Sequence, residues 1–190
     1  KHVVVMNDTG GPLPTDAPGG IQIHDYETLI AAAVPREFHI EDENAAAAMM
    51  YTSGTTGHPK GVVYTHRSIT LHTFGGMMAD SVGICEHDTI LPVVPMFHAN
   101  AWGLAHAGVA TGATLVMPGP DLSPATIVSL IESERVTVAA GVPTIWMGVL
   151  EALDGHDVSS LRAIPCGGSA VPPALSEGFR AKTGLPILQA

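Results

Sequence analysis

Positive charge is scarce in this 190-residue chain, which carries 8 Lys+Arg against 18 Asp+Glu for a formal net charge of −10. So few cations form no basic stripe, which argues against nucleic acid as a partner. Cysteine is nearly absent as well. The 2 thiols, Cys85 and Cys166, lie far apart and match no metal or redox spacing. Both are expected as reduced, small core residues of a protein in the cytoplasm. Charge of either sign is missing from Thr89 to Pro120, but Pro92, Pro95, Asn100, Pro118, Pro120 and several glycines interrupt that stretch. No apolar helix of roughly 20 residues fits there, so the stretch reads as core, and membrane contact is at most peripheral. Neither a basic-then-apolar leader, an internal repeat nor a low-complexity tract is expected.

What remains is apolar: 46% of residues are hydrophobic and 14% charged, the composition of a single domain with a substantial core. The chain opens without methionine on a strand-like Val3-Val4-Val5-Met6 and stops at Leu188-Gln189-Ala190, so it reads as a segment of something longer. Short apolar runs alternate with helical patterns, the signature of an α/β fold with a largely parallel sheet. Strands are expected at Val3 to Met6, Ala46 to Tyr51, Gly61 to Tyr64, Thr89 to Val93, Thr114 to Met117, Val136 to Ala139, Leu161 to Pro165 and Pro186 to Leu188. One helix should start at Ser123 as N-cap with Pro124 in its first turn, burying Ile127, Leu130 and Ile131. Others should open at Pro143 and after Pro172-Pro173, where Leu175 and Phe179 are one turn apart. A helix after His66 is weakened by Gly75-Gly76. Residues 7–20 and 34–44 read as solvated connectors, and no division into two domains is expected.

The most informative run is Tyr51-Thr52-Ser53-Gly54-Thr55-Thr56-Gly57-His58-Pro59-Lys60-Gly61. Its glycines let backbone N–H groups approach an anion, its hydroxyls add donors, and Lys60 adds a point charge. A Walker A loop is excluded, because Pro59 stands where its second glycine belongs and Gly61 follows the lysine in place of Ser or Thr. The competing interpretation is a Ser/Thr/Gly-rich surface turn between two strands. Charge distribution weighs against that. Lys60 and Arg67 are the only basic residues between Arg36 and Arg135, and an acidic protein must build an anion site locally from oriented N–H groups and a lysine.

Two further segments follow expected strands, where open α/β sheets place their ligands. The first is Pro95-Met96-Phe97-His98-Ala99-Asn100-Ala101-Trp102-Gly103. His98 is either a structural histidine or a site residue, and the phosphate loop upstream favours the site; Trp102 is either a binding residue or plain core. The second is Gly167-Gly168-Ser169, read as a close backbone approach to a planar ring or as a tight turn. No zinc site is assigned, since the histidine spacings fit no HExxH pair, and Ser53 and Ser169 lie in no Gly-x-Ser-x-Gly elbow.

The Tyr51–Gly61 run resembles the signature of the adenylate-forming (AMP-binding) superfamily of acyl-CoA synthetases, peptide-synthetase adenylation domains and luciferases. Phe97 to Trp102, Met117-Pro118-Gly119-Pro120, Gly141-Val142-Pro143-Thr144 and Gly167-Gly168-Ser169-Ala170 are similar, more narrowly, to bacterial medium- and long-chain fatty acyl-CoA synthetases. The resemblance implies that residues 1–190 are part of the N-terminal domain of such an enzyme. It implies ATP and Mg²⁺ held by Thr52, Ser53, Gly54, Thr55, Thr56, Gly57 and Lys60, with Thr52 reaching the metal. It further implies an adenine pocket at Gly167, Gly168, Ser169, Gln189 and Ala190, a catalytic His98 beside the carboxylate, and a fatty-acyl channel at His98, Asn100, Trp102 and Gly141.

The implied reaction activates a fatty acid as its acyl-adenylate and passes the acyl group to CoA, in an enzyme for which a homodimer is compatible. The family's magnesium glutamate, ribose aspartate and lid lysine lie beyond this span, so the segment alone is expected to be inactive. Alternatives are an adenylate-forming ligase for an aryl or amino acid, and a non-catalytic nucleotide-binding module.

Overall fold

The computed structural model describes residues 1–7, 10–14, 18–52 and 57–189. Where the sequence reading expects no division, the chain groups into two compact units, Lys1–Glu41 and Asp42–Ala190. In the first, β1 (His2–Val5) runs parallel to β2 (Gln22–Asp25). Helix α1 (Tyr26–Ala32) follows, capped by Asp25, whose carboxylate accepts the Thr28 N–H at 2.8 Å. Neither β2 nor α1 is among the expected elements, because segments this short fall below the length at which periodicity separates from chance. Residues 34–44 are exposed and carry no helix or strand, as expected of a connector.

The second unit opens with an antiparallel hairpin, β3 (Ala46–Thr52) and β4 (Lys60–Thr65). Helix α2 (His66–Met77) begins at a capping box, in which Thr65 and Ser68 each accept the other's backbone N–H. Gly75-Gly76 falls in its last turn, one residue before it ends at Met77. After β5 (Thr89–Pro92) come a one-turn element α3 (Ala99–Trp102), α4 (Leu104–Thr111), β6 (Thr114–Leu115) and α5 (Pro124–Ser133). Then follow β7 (Val138–Ala140), α6 (Pro143–Ala152), β8 (Pro165–Cys166), α7 (Pro173–Thr183) and β9 (Leu188–Gln189). Helix α5 starts as expected, with the Ser123 hydroxyl accepting the Thr126 N–H and Ile127 and Ile131 fully buried. Among the described helices none is long and apolar enough to cross a membrane.

Outside the hairpin all pairings among the described residues of this unit are parallel, in the orders β6-β5-β7 and β8-β9, with bridges Val138–Ala163 and Gly141–Cys166 laying the β8 segment along β7. The expected strand Leu161 to Pro165 is thus displaced: its ladder starts only at Pro165, and Ala163 makes a single bridge. Strand alternation sorts the core. Leu91 and Ala139 face a cluster that includes Ile127, Ile131, Trp146 and Phe179 from α5, α6 and α7. Ile90, Val138 and Ala140 face the other way, onto Ala101, Leu104 and Ala107. Both faces being covered, these strands read as unbroken apolar runs in the sequence.

One expected core thiol is misplaced. Cys166 is buried, and burial pushes its thiol up to about 11, but Cys85 is exposed. It lies in a turn whose polar interior belongs to Asp88. The Asp88 carboxylate accepts Arg162 Nε at 2.7 Å and Nη2 at 2.6 Å, the Thr137 hydroxyl at 2.6 Å and the Cys85 N–H at 2.9 Å. Arg162 also donates to the carbonyls of Val82 and Gly83. Burial by itself would raise the Asp88 carboxyl, but the Arg162, Thr137 and Cys85 donors outweigh it and hold the group well below the usual carboxylate range.

Replacing Asp88 by Asn keeps the shape and leaves Arg162 without a counter-charge. Urea unfolding followed by the fluorescence of Trp102 and Trp146 should show a loss of about 2–3 kcal/mol, below the roughly 3–5 kcal/mol for a fully buried pair because 39% of the Arg162 side chain is solvated. A depressed native pKa stabilises above the unfolded value of about 3.9 and ceases to as pH falls toward the native one. The gap between wild type and variant should therefore be constant near neutrality and narrow below about pH 4.

Candidate functional site

The β3–β4 register brings the ends of the phosphate-loop motif together. Thr52 and Lys60 are cross-strand partners, so their side chains emerge on one face of the hairpin. Strand alternation puts Met50 on that face two residues before Thr52, and Tyr64 on it four residues after Lys60. Met50 and Tyr64 line a cavity of about 540 Å³. The hairpin face that fronts the cavity thus carries a hydroxyl and an ammonium towards its tip, both exposed. Among the described residues Lys60 has neither an ion-pair nor a hydrogen-bond partner, which leaves its charge available to an anion. Gly57 has φ +93°, a backbone region only glycine enters freely. Ser53, Gly54, Thr55 and Thr56 lie outside the described residues.

The opposite wall comes from the segment after β5. Ala99, Asn100, Ala101 and Trp102 have φ of 47°, 48°, 49° and 56°, and Gly103 has 75°. Non-glycine residues visit this left-handed region singly as a rule, at about 1–2 kcal/mol each, so four in succession are an accumulation of strain. The buried Ala101, with Leu104 behind it, anchors the turn in the core. The left-handed turn presents Ala99, Asn100, Trp102 and Gly103 to the cavity. Gly167 and Gly168 close another side; Gly168 has φ +82°, and a β-carbon added there would lie 3.3 Å from Val142 Cγ1.

Of the residues singled out in the sequence, the structure therefore gathers Asn100, Trp102, Gly167 and Gly168 around one cavity, with Thr52 and Lys60 on the hairpin face that fronts it. Others it holds apart. His98 is exposed and does not line the cavity, although its neighbour Ala99 does. Ser169 is exposed outside it. Gln189 Oε1 accepts the Val171 N–H at 3.2 Å, and Ala190 lies outside the described residues. Gly141 is buried beneath the Trp146 ring, so it serves packing in this structure.

Helix α2 is expected from the sequence, but its place in the cavity wall is not. Ser68, Ile69 and His72 line the cavity, and His106 of α4 joins them. Ser68, Ile69, His72, Gly75 and Gly76 fall at i, i+1, i+4, i+7 and i+8, one helical face. That spacing is visible in the sequence, but a stripe so mixed in polarity has no hydrophobic period to announce it.

A sequence family described as AMP-binding enzyme matches residues 2–190. The chain belongs to this family. It is 43% identical over 193 residues to 3-methylmercaptopropionyl-CoA ligase of Ruegeria lacuscaerulensis, covering 100% of this chain and 35% of that protein. It is 47% identical over 191 residues to long-chain-fatty-acid–CoA ligase of Thermus thermophilus, covering 100% of this chain and 33% of that protein. Among solved structures, O-succinylbenzoate coenzyme A synthetase (MenE) from Bacillus subtilis, in complex with ATP and magnesium ion, superimposes with a TM-score of 0.74 at 31% identity, covering 88% of this chain and 34% of that one. The α/β fold with parallel sheets and flanking helices is that of the N-terminal domains of adenylate-forming enzymes. The chain spans about a third of the length of the curated relatives it matches.

A β-carbon added to Gly141 would lie 3.2 Å from Trp146 Cε2 and 3.3 Å from its Nε1. Gly141→Ala should accordingly cost about 1–3 kcal/mol in stability by overpacking. It should leave the affinity for any ligand of the cavity within a factor of about two. Chemical denaturation and ligand titration of the same variant check both halves; a large affinity loss at unchanged stability would return Gly141 to the binding surface.

Proposed function

We propose that the chain is part of the N-terminal domain of a longer AMP-forming acid–CoA ligase whose substrate is a medium- or long-chain fatty acid. The observation that carries this reading is the hairpin face on which Thr52 and Lys60 stand beside a largely apolar cavity. One end suits a triphosphate tail and the other a hydrocarbon. In the first half-reaction the fatty carboxylate attacks the α-phosphate of ATP, forming acyl-adenylate and releasing pyrophosphate. In the second, the CoA thiolate displaces AMP. Both halves depend on positioning and on charge opposite the phosphates.

Lys60 and the hydroxyls and N–H groups of residues 52–57 are assigned to the departing pyrophosphate. His98 is assigned to the carboxylate and α-phosphate, supported by its exposed ring one residue from the cavity wall. Gly167 and Gly168 are assigned to the adenine, since a wall without side chains admits a flat ring closely. The Thr52 hydroxyl fits a magnesium ion as one oxygen ligand of the several it requires, and the metal when bound neutralises charge on the phosphates.

A second reading has the Ruegeria relative in its favour: the acid activated would be the short 3-methylmercaptopropionate. The amount of apolar space beside Trp102 favours the longer chain.

In the full-length protein, palmitate-dependent exchange of pyrophosphate into ATP should proceed. Lys60→Ala should slow it by about 100-fold or more, the usual effect of removing one donor from a developing charge, while thermal unfolding stays unchanged. Exchange at the wild-type rate in that variant would remove Lys60 from the phosphate site. Exchange supported by 3-methylmercaptopropionate and by no fatty acid would select the second reading.

A further inference from the structure

A second cavity, of about 350 Å³, lies beyond the first, and His72, Trp102 and Gly103 line both. We infer that His72 and Gly103 form a waist between the two cavities, and that the imidazole of His72 sets the length of acyl chain the site accepts. This rests on the fatty-acid reading above and names the residue that would decide which fatty acid.

The ends of the path are distinguishable from their walls. The first cavity alone touches the hairpin residues Met50 and Tyr64 and the glycines Gly167 and Gly168, so the carboxylate and nucleotide belong there. No hairpin residue lines the second, whose wall includes Val82, Ile84, Leu104 and Ala107. An apolar tail is the part of the substrate that such a wall would hold.

The waist depends on a missing side chain. A β-carbon on Gly103 would lie 2.5 Å from His72 Nδ1 and 2.8 Å from its Cε1. The imidazole therefore occupies the space a side chain at position 103 would take, lying flush against bare backbone. Among the described residues it makes no hydrogen bond, so nothing polar explains its position on this face. Methylenes passing it would also strip water from a polar ring, which opposes entry.

The far cavity is likewise made by omission. Gly75 and Gly76 follow His72 on the same face of α2, and a β-carbon at either meets nothing within 4 Å. Glycine in a helix interior costs roughly 1 kcal/mol relative to alanine, less in the last turn where these two sit, and the open space they leave belongs to the second cavity. Helix α2 thus carries a stop at His72 and room behind it.

The test is a kcat/KM profile across saturated fatty acids of increasing length, measured on the full-length protein with His72→Ala and Gly76→Leu. His72→Ala opens the waist. It should move the optimum to longer acids, with kcat/KM beyond the wild-type optimum rising about fourfold for each methylene newly buried. Gly76→Leu fills the far cavity while improving helix propensity, and should move the optimum to shorter acids or leave only those. A purely structural defect would lower every length by the same factor and leave the shape of the profile alone. Profiles of unchanged shape in both variants overturn the waist. Wild-type protein that turns over no fatty acid overturns the reading on which the waist stands, so the two failures are distinguishable.

Discussion

The carboxylate of Asp88 is the constraint on which the second unit depends. It is buried, accepts donors from the turn before β5, from Thr137 just before β7 and from Arg162 on the segment leading to β8, and is ionised because those donors hold it so. Three strand entrances are thereby tied to one charged group. Strands fixed at their starts and covered on both faces deliver their far ends at set offsets. The left-handed turn after β5 and the Gly167-Gly168 turn after β8 leave from those ends. Polar pairing at one end of the strands and a cavity beyond the other are two consequences of the same parallel arrangement.

Glycine shapes the rest, in two opposite ways. At Gly148 and Gly178 an added β-carbon would fall 2.6 Å from Pro124 Cγ and from Leu150 Cδ2, and at Gly108 it would fall 2.8 Å from Leu115 Cδ2. Those glycines let α5, α6, α7 and α4 close on their neighbours. At Gly75 and Gly76 the added atom meets nothing, and the same residue type produces a void. Close packing behind the cavity and vacancy within it require each other: a wall that must hold strained left-handed residues from Ala99 to Trp102 has to be braced by a well-packed core. Trp146 illustrates the cost of that density. Its indole is buried edge-on to Phe179, with no hydrogen-bond partner for Nε1 among the described residues.

Much of the scaffold was legible because its signals are local. Ser123-Pro124 announces a helix start by capping chemistry, and Thr89–Pro92 announces a buried strand by an apolar run. Other elements were misjudged where local and tertiary forces part. Gly75-Gly76 ought to weaken the middle of α2, but the capping box starts the helix at His66 and the two glycines fall in its last turn, one residue before it ends at Met77. Cys85 has the composition of a core residue but sits on a turn whose interior is claimed by Asp88. The short β2 and α1 left no periodic trace.

The sequence by itself determined the family, the alternation of strands and helices, and the chemistry of the Tyr51–Gly61 run, since each of these is written in residue types at fixed spacing along the chain. Which residues meet was decided only by the tertiary structure. Gly141 lies under Trp146 through a turn that no spacing rule describes, His98 stands outside the cavity while Ala99 lines it, and His72 reaches Gly103 across a gap of thirty-one residues. Such contacts arise when two elements pack, and the free energy that selects them is shared among side chains far apart in sequence. A cavity is the extreme case: it is defined by atoms that are absent, and absence has no signature until the walls are assembled.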